Sequence, residues 1–303
     1  MNFADRLHAA TKELGNACLI GIDPHLDMLP EQYAAARNVE LPRHVRAAAM
    51  GDFCVELVDL VAGRVPVVKP QSAFFEVFGA DGHIQWERVV SHAKSAGLLV
   101  VGDVKRGDIA STAAAYARGL LAGCGAAHED AHLCDAVTVN AFLGEESITP
   151  FLNVCRETNT GIYVLVRTSN PGSADFQLCG DPTLSERIAD AVNRWGKDLM
   201  GESGYSSVGA VVGATHPEAL AAMRERMPHT PLLLPGYGAQ GAGAEDIAAG
   251  FHKGGFGAIV NSSRGISFAY KKAGRPCSEW REAAVDALDS MIQEIGAVAH
   301  AAV

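Results

Sequence analysis

Residues 98–109 read LLVVGDVKRGDI, an apolar run that ends abruptly in charged residues. An uninterrupted apolar run of this kind is typical of a parallel strand that is buried on both faces. Seven further short runs rich in Val, Ile and Leu occur along the chain, and segments of helical periodicity separate them. The eight predicted strands are residues 17–23, 65–69, 98–103, 135–140, 162–167, 208–213, 231–235 and 258–262.

The regular alternation of strands and helices predicts an α/β fold. Helical periodicity is found at residues 42–62, 86–95, 145–157, 182–200, 217–226, 245–251 and 278–297. Eight strands favour a single (β/α)8 TIM barrel with parallel strands, and a doubly wound open sheet is the alternative that counting leaves open. Because no linker or shift in composition divides the sequence, we expect one domain over residues 1–303.

Charge and composition exclude several classes of partner. The net charge of −10 argues against a nucleic-acid or anionic-membrane surface, since such partners are attracted by basic patches. No uncharged apolar run approaches the roughly 18 residues of a membrane span, and the first residues resemble an amphipathic helix rather than a secretion signal. Seven scattered cysteines without a C-x-x-C pair indicate reduced thiols. We therefore expect a cytoplasmic protein.

Charged residues follow the third predicted strand and end the first two. Asp103, Lys105 and Asp108 lie within six residues, and alternation along an extended strand would project Asp103 and Lys105 to the same side. The second strand ends in Lys69 and the first in Asp23. Since the carboxyl ends of barrel strands face one pocket, these side chains are candidates for a shared site. A solvated turn and a structural ring of salt bridges are the alternatives.

The last two predicted strands run into glycine-rich segments. The seventh leads into Pro235-Gly-Tyr237-Gly-Ala-Gln240-Gly, and the eighth leads into Ser262-Ser263-Arg264-Gly265. Glycines allow backbone amides to approach an anion closely, and arginine presents a planar set of donors to a phosphate. Barrels often bind phosphate in these two loops, so we expect a phosphate site here.

Two other motifs carry less weight. Residues 236–241 fit G-x-G-x-x-G, but the acidic residue that a dinucleotide site needs about twenty residues later is missing. Residues 128–132 read HEDAH and fit the zinc motif H-E-x-x-H. This motif precedes the fourth strand, which places it on the opposite face of a barrel without an evident third ligand. Neither motif is therefore expected to be functional.

Taken together, the motifs resemble those of one enzyme family along almost the whole chain. The matching positions are Asp23, Lys69, the run Asp103-x-Lys105-x-x-Asp108-Ile109-x-x-Thr112, Ser169-Asn170-Pro171, Pro235 to Gly241, and Ser263-Arg264-Gly265. This set resembles the orotidine 5′-monophosphate decarboxylase family in its longer bacterial form. A lysine on the preceding strand makes the D-x-K-x-x-D motif specific, whereas the glycine-rich loop alone would be weak.

The resemblance implies a role for each position. Asp23 would hydrogen-bond the ribose, and Lys69, Asp103 and Lys105 would form a charged network. Asp108 from a partner subunit would complete that network in a homodimer with shared active sites. The remaining contacts implied by the resemblance are Ile109 and Thr112 to the neighbouring site, Ser169 to the pyrimidine, and Pro235, Tyr237, Gln240, Ser263 and Arg264 at the phosphate.

The implied reaction is decarboxylation of orotidine 5′-monophosphate to uridine 5′-monophosphate in pyrimidine biosynthesis, without cofactor or metal. Lys105 would stabilise a vinyl carbanion and then protonate it. A magnesium-dependent ketogulonate-phosphate decarboxylase is one rival, but Lys69 would repel the metal that a glutamate holds there. A Schiff-base aldolase would need a neutral lysine, which flanking carboxylates disfavour. The last alternative is a nucleotide-phosphate binding protein without catalytic activity, which only an activity assay distinguishes from an enzyme.

Overall fold

A closed barrel of eight parallel strands forms the centre of the protein. Residues 1–124, 133–215, 217–238 and 243–301 are described by the computed structural model. The strands pair in sequential order, and the last pairs with the first. This arrangement confirms the TIM barrel and excludes the open sheet. The strands are β1 Cys18–Ile22, β2 Val67–Pro70, β3 Leu99–Arg106, β4 Ala136–Val139, β5 Gly161–Arg167, β6 Val208–Val212, β7 Leu232–Leu234 and β8 Ala258–Ser262.

Helices surround the barrel and connect its strands. They are α1 Phe3–Leu14, α2 Arg43–Val61, α3 Ser72–Glu76, α4 Gly79–Ser95, α5 Ala110–Leu121, α6 Thr149–Thr158, α7 Ala174–Gln177, α8 Leu184–Trp195, α9 Pro217–Arg226, α10 Arg264–Ser267, α11 Ala269–Lys272 and α12 Trp280–Ala301. The segment predicted at 245–251 is a short 3₁₀ helix, Glu245–Gly250, and the helix predicted at 86–95 begins earlier, at Gly79. No described helix combines the length and the apolar character that a membrane crossing requires.

The inside of the barrel is apolar at its amino end and polar at its carboxyl end. Leu19, Val67, Val101 and Tyr163 are fully buried within the ring of strands. Phe3 of α1 packs edge-on against Tyr163 with ring centroids 6.0 Å apart, so α1 covers the amino end of the barrel. A larger apolar layer lies between the strands and the outer helices. The carboxyl ends of the strands are therefore the place where functional side chains converge.

Two connections are longer than a minimal barrel needs, residues 24–42 and 171–182, and both contain short helices. Residues 24–42 contain two 3₁₀ helices, Leu26–Met28 and Glu31–Ala36, and Tyr33 from the second packs against Phe53 and Trp280. The segment after β5 contains a 3₁₀ turn followed by α7. All seven cysteines are free, with four buried and three exposed, in agreement with the predicted reduced thiols.

Candidate active site

A buried carboxylate, Asp103, is the centre of a hydrogen-bonded cluster at the carboxyl ends of β2, β3 and β4. Its Oδ2 accepts hydrogen bonds from Lys69 Nζ at 2.8 Å and from Gln71 Nε2 at 3.0 Å. Its Oδ1 accepts from Lys105 Nζ at 2.5 Å and from Thr138 Oγ1 at 2.9 Å. The carboxylate is thus fully used as an acceptor, and it lies between two ammonium groups.

Burial and neighbouring charges shift the pKa values of Asp103 and Lys69 in opposite directions, and the effect of the charges is the larger. Burial alone would raise the pKa of the Asp103 carboxyl, but the Lys69 and Lys105 ammonium groups hold that pKa well below its ordinary range. Burial likewise opposes the charge on Lys69, yet Asp103 and then Asp23 raise the pKa of that lysine above its ordinary value. Asp103 and Lys69 are therefore a charged pair although both are buried.

A local irregularity in β3 brings Lys105 to Asp103. The pairing with β4 advances four residues on β3, from Gly102 to Arg106, while it advances two on β4. Lys105 lies inside this bulge with φ of 45°, in the left-handed region that residues other than glycine rarely adopt. The sequence predicted that both side chains share one side by simple alternation. The structure brings them together, but through a bulge rather than through a regular strand.

Asp23 lies just beyond the end of β1, beside the cluster. Its Oδ1 is buried and has no hydrogen-bond partner among the described residues. A buried acceptor without a partner is costly, so this oxygen is suited to a donor supplied by a ligand. Ile22, the residue before Asp23, pairs with Pro70, the residue after Lys69, and the Asp23 charge contributes to the raised pKa of Lys69.

Asp108, Ile109 and Thr112 lie outside the cluster within the chain. The Asp108 carboxylate accepts a hydrogen bond from the Ile109 amide at 2.8 Å, and no ion pair is recorded for it in the described part of the chain. The Ile109 side chain is 45% exposed, and Thr112 in the first turn of α5 is also exposed. These three residues follow the charged cluster directly in sequence, and Asp108 is half-buried whereas the other two are exposed.

The predicted phosphate residues lie at the ends of β7 and β8. Arg264 is the first residue of α10 and is exposed, and it lines an open cavity of about 880 Å³ together with Tyr237 and Gly238. Lys105 is not among the described residues that line this cavity. The Tyr237 hydroxyl donates a hydrogen bond to Glu294 of α12 at 2.5 Å. Gln240 and the HEDAH segment lie outside the described residues.

Strand β1 lies between the charged cluster and the phosphate residues. Gly21 pairs with Lys69 on one side, and a Cβ placed on Gly21 would come within 1.9 Å of Ser263 Oγ on the other. Only glycine allows the Ser263 side chain to approach the strand so closely. The two groups of predicted residues therefore share the mouth of the barrel and are one strand apart.

Ser169 and Pro235 lie at the same mouth. The backbone of Ser169 packs on Gly213 at the end of β6, where an added Cβ would be 2.9 Å from the Ser169 Cα atom. The Pro235 carbonyl accepts a hydrogen bond from the Ala214 amide at 3.1 Å. Gln177 Oε1 accepts a hydrogen bond from the Thr168 amide, and Gln177 Nε2 donates one to Thr168 Oγ1, which fixes the segment after β5.

Two residues of the cluster were not predicted from the sequence. Gln71 follows the Lys69-Pro70 pair, and its position two residues after Lys69 is a signal that alternation could have used. Thr138 lies within β4, in a run of Ala and Val, and a β-branched residue there reads as core. No local pattern distinguishes its hydroxyl as a partner of Asp103.

The fold and the cluster define a (β/α)8 barrel enzyme with an Asp–Lys network at its mouth and with Arg264 after β8 as a candidate phosphate ligand. A sequence model of the orotidine 5′-phosphate decarboxylase / HUMPS family matches residues 26–275. The chain belongs to this family.

Two relatives and one solved structure are similar to this chain over nearly its full length. A protein from Rhodopirellula baltica named orotidine 5′-phosphate decarboxylase is 46% identical over 277 residues, which are 90% of each chain. One of the same name from Deinococcus radiodurans is 46% identical over 97% of this chain and 98% of the relative. The structure of Leishmania donovani OMP decarboxylase superposes with a TM-score of 0.73 at 31% identity and covers 99% of both chains.

Proposed function

We propose that this chain decarboxylates orotidine 5′-monophosphate to uridine 5′-monophosphate with Lys105 as the proton donor. Family membership and relatives at 46% identity support the activity. The observation that carries the mechanism is the hydrogen bond between Lys105 and a buried Asp103 that also binds Lys69. This arrangement provides a positively charged amine that can stabilise the negative charge left on the ring when carbon dioxide departs.

The reaction breaks the bond between the ring carbon and the carboxylate, and the electron pair stays on the ring carbon. An ammonium group beside that carbon stabilises the developing carbanion through its charge. Lys105 then transfers a proton from Nζ to the ring carbon, which completes uridine 5′-monophosphate. Since the Lys105 side chain is 47% exposed, Nζ can regain a proton from solvent after each turnover.

Asp103 and Lys69 prepare this step. Asp103 orients the Lys105 ammonium through a 2.5 Å hydrogen bond, and its negative charge lies beside the position proposed for the substrate carboxylate. Repulsion between the two carboxylates favours departure of carbon dioxide. Lys69 is buried against Asp103 and keeps that carboxyl ionised, because a neighbouring positive charge lowers its pKa.

The remaining proposed substrate contacts come from residues around the mouth of the barrel. The unpartnered Asp23 oxygen accepts a hydrogen bond from a ribose hydroxyl, and Ser169 is proposed to contact the pyrimidine. Arg264 and Ser263 bind the phosphate across β1, and Pro235, Tyr237 and Gln240 are further proposed phosphate contacts. Binding energy from the phosphate can then stabilise the transition state.

A magnesium-dependent reaction of the same family fits the site less well. Such chemistry needs carboxylate or other oxygen ligands that leave room for a divalent cation. Lys69 occupies the strand end next to Asp103, and its raised pKa keeps it positively charged. An ammonium group in this position repels a divalent cation. The reaction is therefore proposed to proceed without metal or cofactor.

Two chains are proposed to form a homodimer with shared active sites. Ile109 and Thr112 are exposed and Asp108 is half-buried, which leaves them available to a neighbouring chain. Tyr116 of α5 and Phe142 after β4 are also exposed apolar side chains, and Phe142 is 77% exposed. An exposed apolar patch next to an incomplete site suits a second copy of the chain.

Mixing two inactive variants tests the shared site. Lys105→Ala and Asp108→Ala would each abolish activity alone, yet a mixed dimer would carry one intact site. Equal mixing with free exchange of subunits should restore about a quarter of the wild-type activity. Mixtures that stay as inactive as the separate variants, while exchange is confirmed by mass spectrometry, would exclude the shared site.

The localisation and remaining partners are proposed on the same basis. A biosynthetic enzyme that acts on a soluble nucleotide is placed in the cytoplasm, and we propose that residues 1–303 form one domain. The net charge of −10 argues against a nucleic-acid partner.

A direct assay tests the reaction. Purified protein should consume orotidine 5′-monophosphate, measured by loss of its absorbance, and a chelator should leave the rate unchanged. Lys105→Ala should lower kcat by about 10³-fold or more, because both charge stabilisation and proton transfer are lost. Lys12→Ala is the control, since Lys12 lies on α1 at the opposite end of the barrel. Chelator-sensitive activity would favour the metal-dependent alternative, and a fully active Lys105→Ala would remove the proposed acid.

A further inference from the structure

The hydroxyl of Thr138 makes three hydrogen bonds at the β3 bulge. Thr138 Oγ1 accepts from the Val104 amide at 3.0 Å and from the Lys105 amide at 2.9 Å, and it donates to Asp103 Oδ1 at 2.9 Å. A hydroxyl group has one proton and two acceptor positions, so this set uses all of them. Since both acceptor positions are filled by amides, the proton must point at Asp103.

The bulge explains why this hydroxyl is needed. Gly102 pairs with Val137 and Arg106 pairs with Val139, so Thr138 faces three consecutive residues of β3. A regular ladder cannot pair two successive amides with one strand residue. The Thr138 hydroxyl, which is buried, supplies the missing acceptor for both amides. The residues between the two regular pairs are those that carry the proposed chemistry.

We propose that Thr138 is a positioning residue for decarboxylation. Its hydroxyl holds Asp103 on one side and the backbone of Lys105 on the other, and thereby fixes the direction of the Lys105 ammonium. Lys105 has a backbone conformation that is unfavourable for a lysine, so contacts from its surroundings must hold it. This proposal rests on the role of Lys105 given above, and it adds a residue of β4 that does not touch the reacting atoms.

Two substitutions separate the hydroxyl from the shape of the side chain. Thr138→Val keeps the volume and removes all three hydrogen bonds. We expect kcat to fall about 10- to 100-fold with a KM changed less than about threefold, because displacing a catalytic group by about 1 Å can cost that much. Thr138→Ser keeps the donor and both acceptor positions, so its kcat should stay within about threefold of wild type.

A second readout reports on the direction of Lys105 alone. Reversal of the proposed proton transfer would exchange the hydrogen at the reacting carbon of uridine 5′-monophosphate with deuterium from the solvent. NMR of the product incubated with enzyme in D₂O follows this exchange without decarboxylation. Thr138→Val should slow the exchange by the same factor as kcat, and Thr138→Ser should not. Thr160→Val is the control, because this buried threonine lies before β5 and its hydroxyl bonds to Thr158.

The outcomes are distinguishable. The proposal is wrong if Thr138→Val keeps kcat and exchange within about threefold of wild type, or if Thr138→Ser is as impaired as Thr138→Val. Should Thr138→Val not fold, Thr138→Cys replaces it, since a thiol is close to serine in size but a weak donor and acceptor. A wrong assignment of Lys105 gives a different result, because Lys105→Ala would then keep both decarboxylation and proton exchange.

Discussion

Replacing Asp103 by asparagine removes the negative charge between Lys69 and Lys105 while the side-chain shape is kept. The carboxylate accepts two hydrogen bonds on each oxygen. Asparagine has one acceptor oxygen, and its amide group must face either Lys69 and Gln71 or Lys105 and Thr138. In either orientation donors point at donors, so the substitution both removes a charge and breaks two hydrogen bonds.

The magnitude follows from the burial of Lys69, whose side chain is 6% exposed. Removing one partner of a buried ion pair costs about 3–5 kcal/mol, because the other charge stays buried and uncompensated. For a chain of this length, that decrease in the free energy of unfolding corresponds to a fall in Tm of about 5–8 °C. Asp23, which also raises the pKa of Lys69, still compensates part of the lysine charge in this variant.

Thermal unfolding of Asp103→Asn at pH 7, at one protein concentration, measures the loss. Adding Lys69→Met to the same chain should recover part of the Tm, because the buried charge is then removed as well. Asp59→Asn is the control, since Asp59 forms an exposed pair with His92, and such pairs contribute about 0–1 kcal/mol. A Tm for Asp103→Asn within about 2 °C of wild type would refute the view that Asp103 compensates a buried charge.

Two further predictions concern the phosphate residue and pH. Arg264→Ala should lower kcat/KM by about 10- to 150-fold, because charged hydrogen bonds to phosphate contribute about 1.5–3 kcal/mol, while Lys272→Ala in the same cavity should change it little. Steady-state kinetics check both variants, and equal losses would contradict a specific role for Arg264. Because the pKa of Asp103 is lowered in the folded state, this group stabilises the fold above about pH 4, and the stabilisation is lost as pH falls through the folded pKa. Because the pKa of Lys69 is raised, this group stabilises the fold below about pH 10, and the stabilisation is lost as pH rises through the folded pKa. The Tm difference between wild type and the Lys69→Met, Asp103→Asn double variant should therefore be flat from about pH 5 to pH 9 and shrink outside that window, and a slope within it would contradict the assignment.

Much of the fold and part of the site could be predicted from the sequence, because both depend on local patterns. Apolar runs such as LLVV at 98–101 mark strands that are buried on both faces, and all eight predicted strands are confirmed. Closure of the barrel then brings the residues after successive strands to one mouth. This is why Lys69 and Asp103 could be assigned to one cluster although 34 residues separate them.

The rest depends on contacts that no local pattern encodes. The β3 bulge arises from the pairing of β3 with β4, and Thr138 acts through a hydroxyl that is 35 residues from Asp103 in sequence. The hydrogen bond from Tyr237 to Glu294 joins the phosphate loop to α12 over 57 residues. Tyr237 was assigned to the phosphate from a motif, and that role stays a prediction.

The left-handed backbone conformation of Lys105 in the bulge should lower the stability of the fold, and replacing Lys105 by glycine or by alanine tests this. A φ of 45° costs a residue with a Cβ about 1–2 kcal/mol relative to ordinary backbone, and glycine avoids this cost. Lys105→Gly should therefore be more stable than Lys105→Ala by about 1 kcal/mol, although both lack the proposed acid. The order should reverse at Lys12 in α1, where glycine is less favourable than alanine by about 1 kcal/mol. Denaturant midpoints of the four variants measure both differences. If alanine were the more stable replacement at both positions, Lys105 would not hold a left-handed conformation, and the ammonium would reach Asp103 from a regular strand.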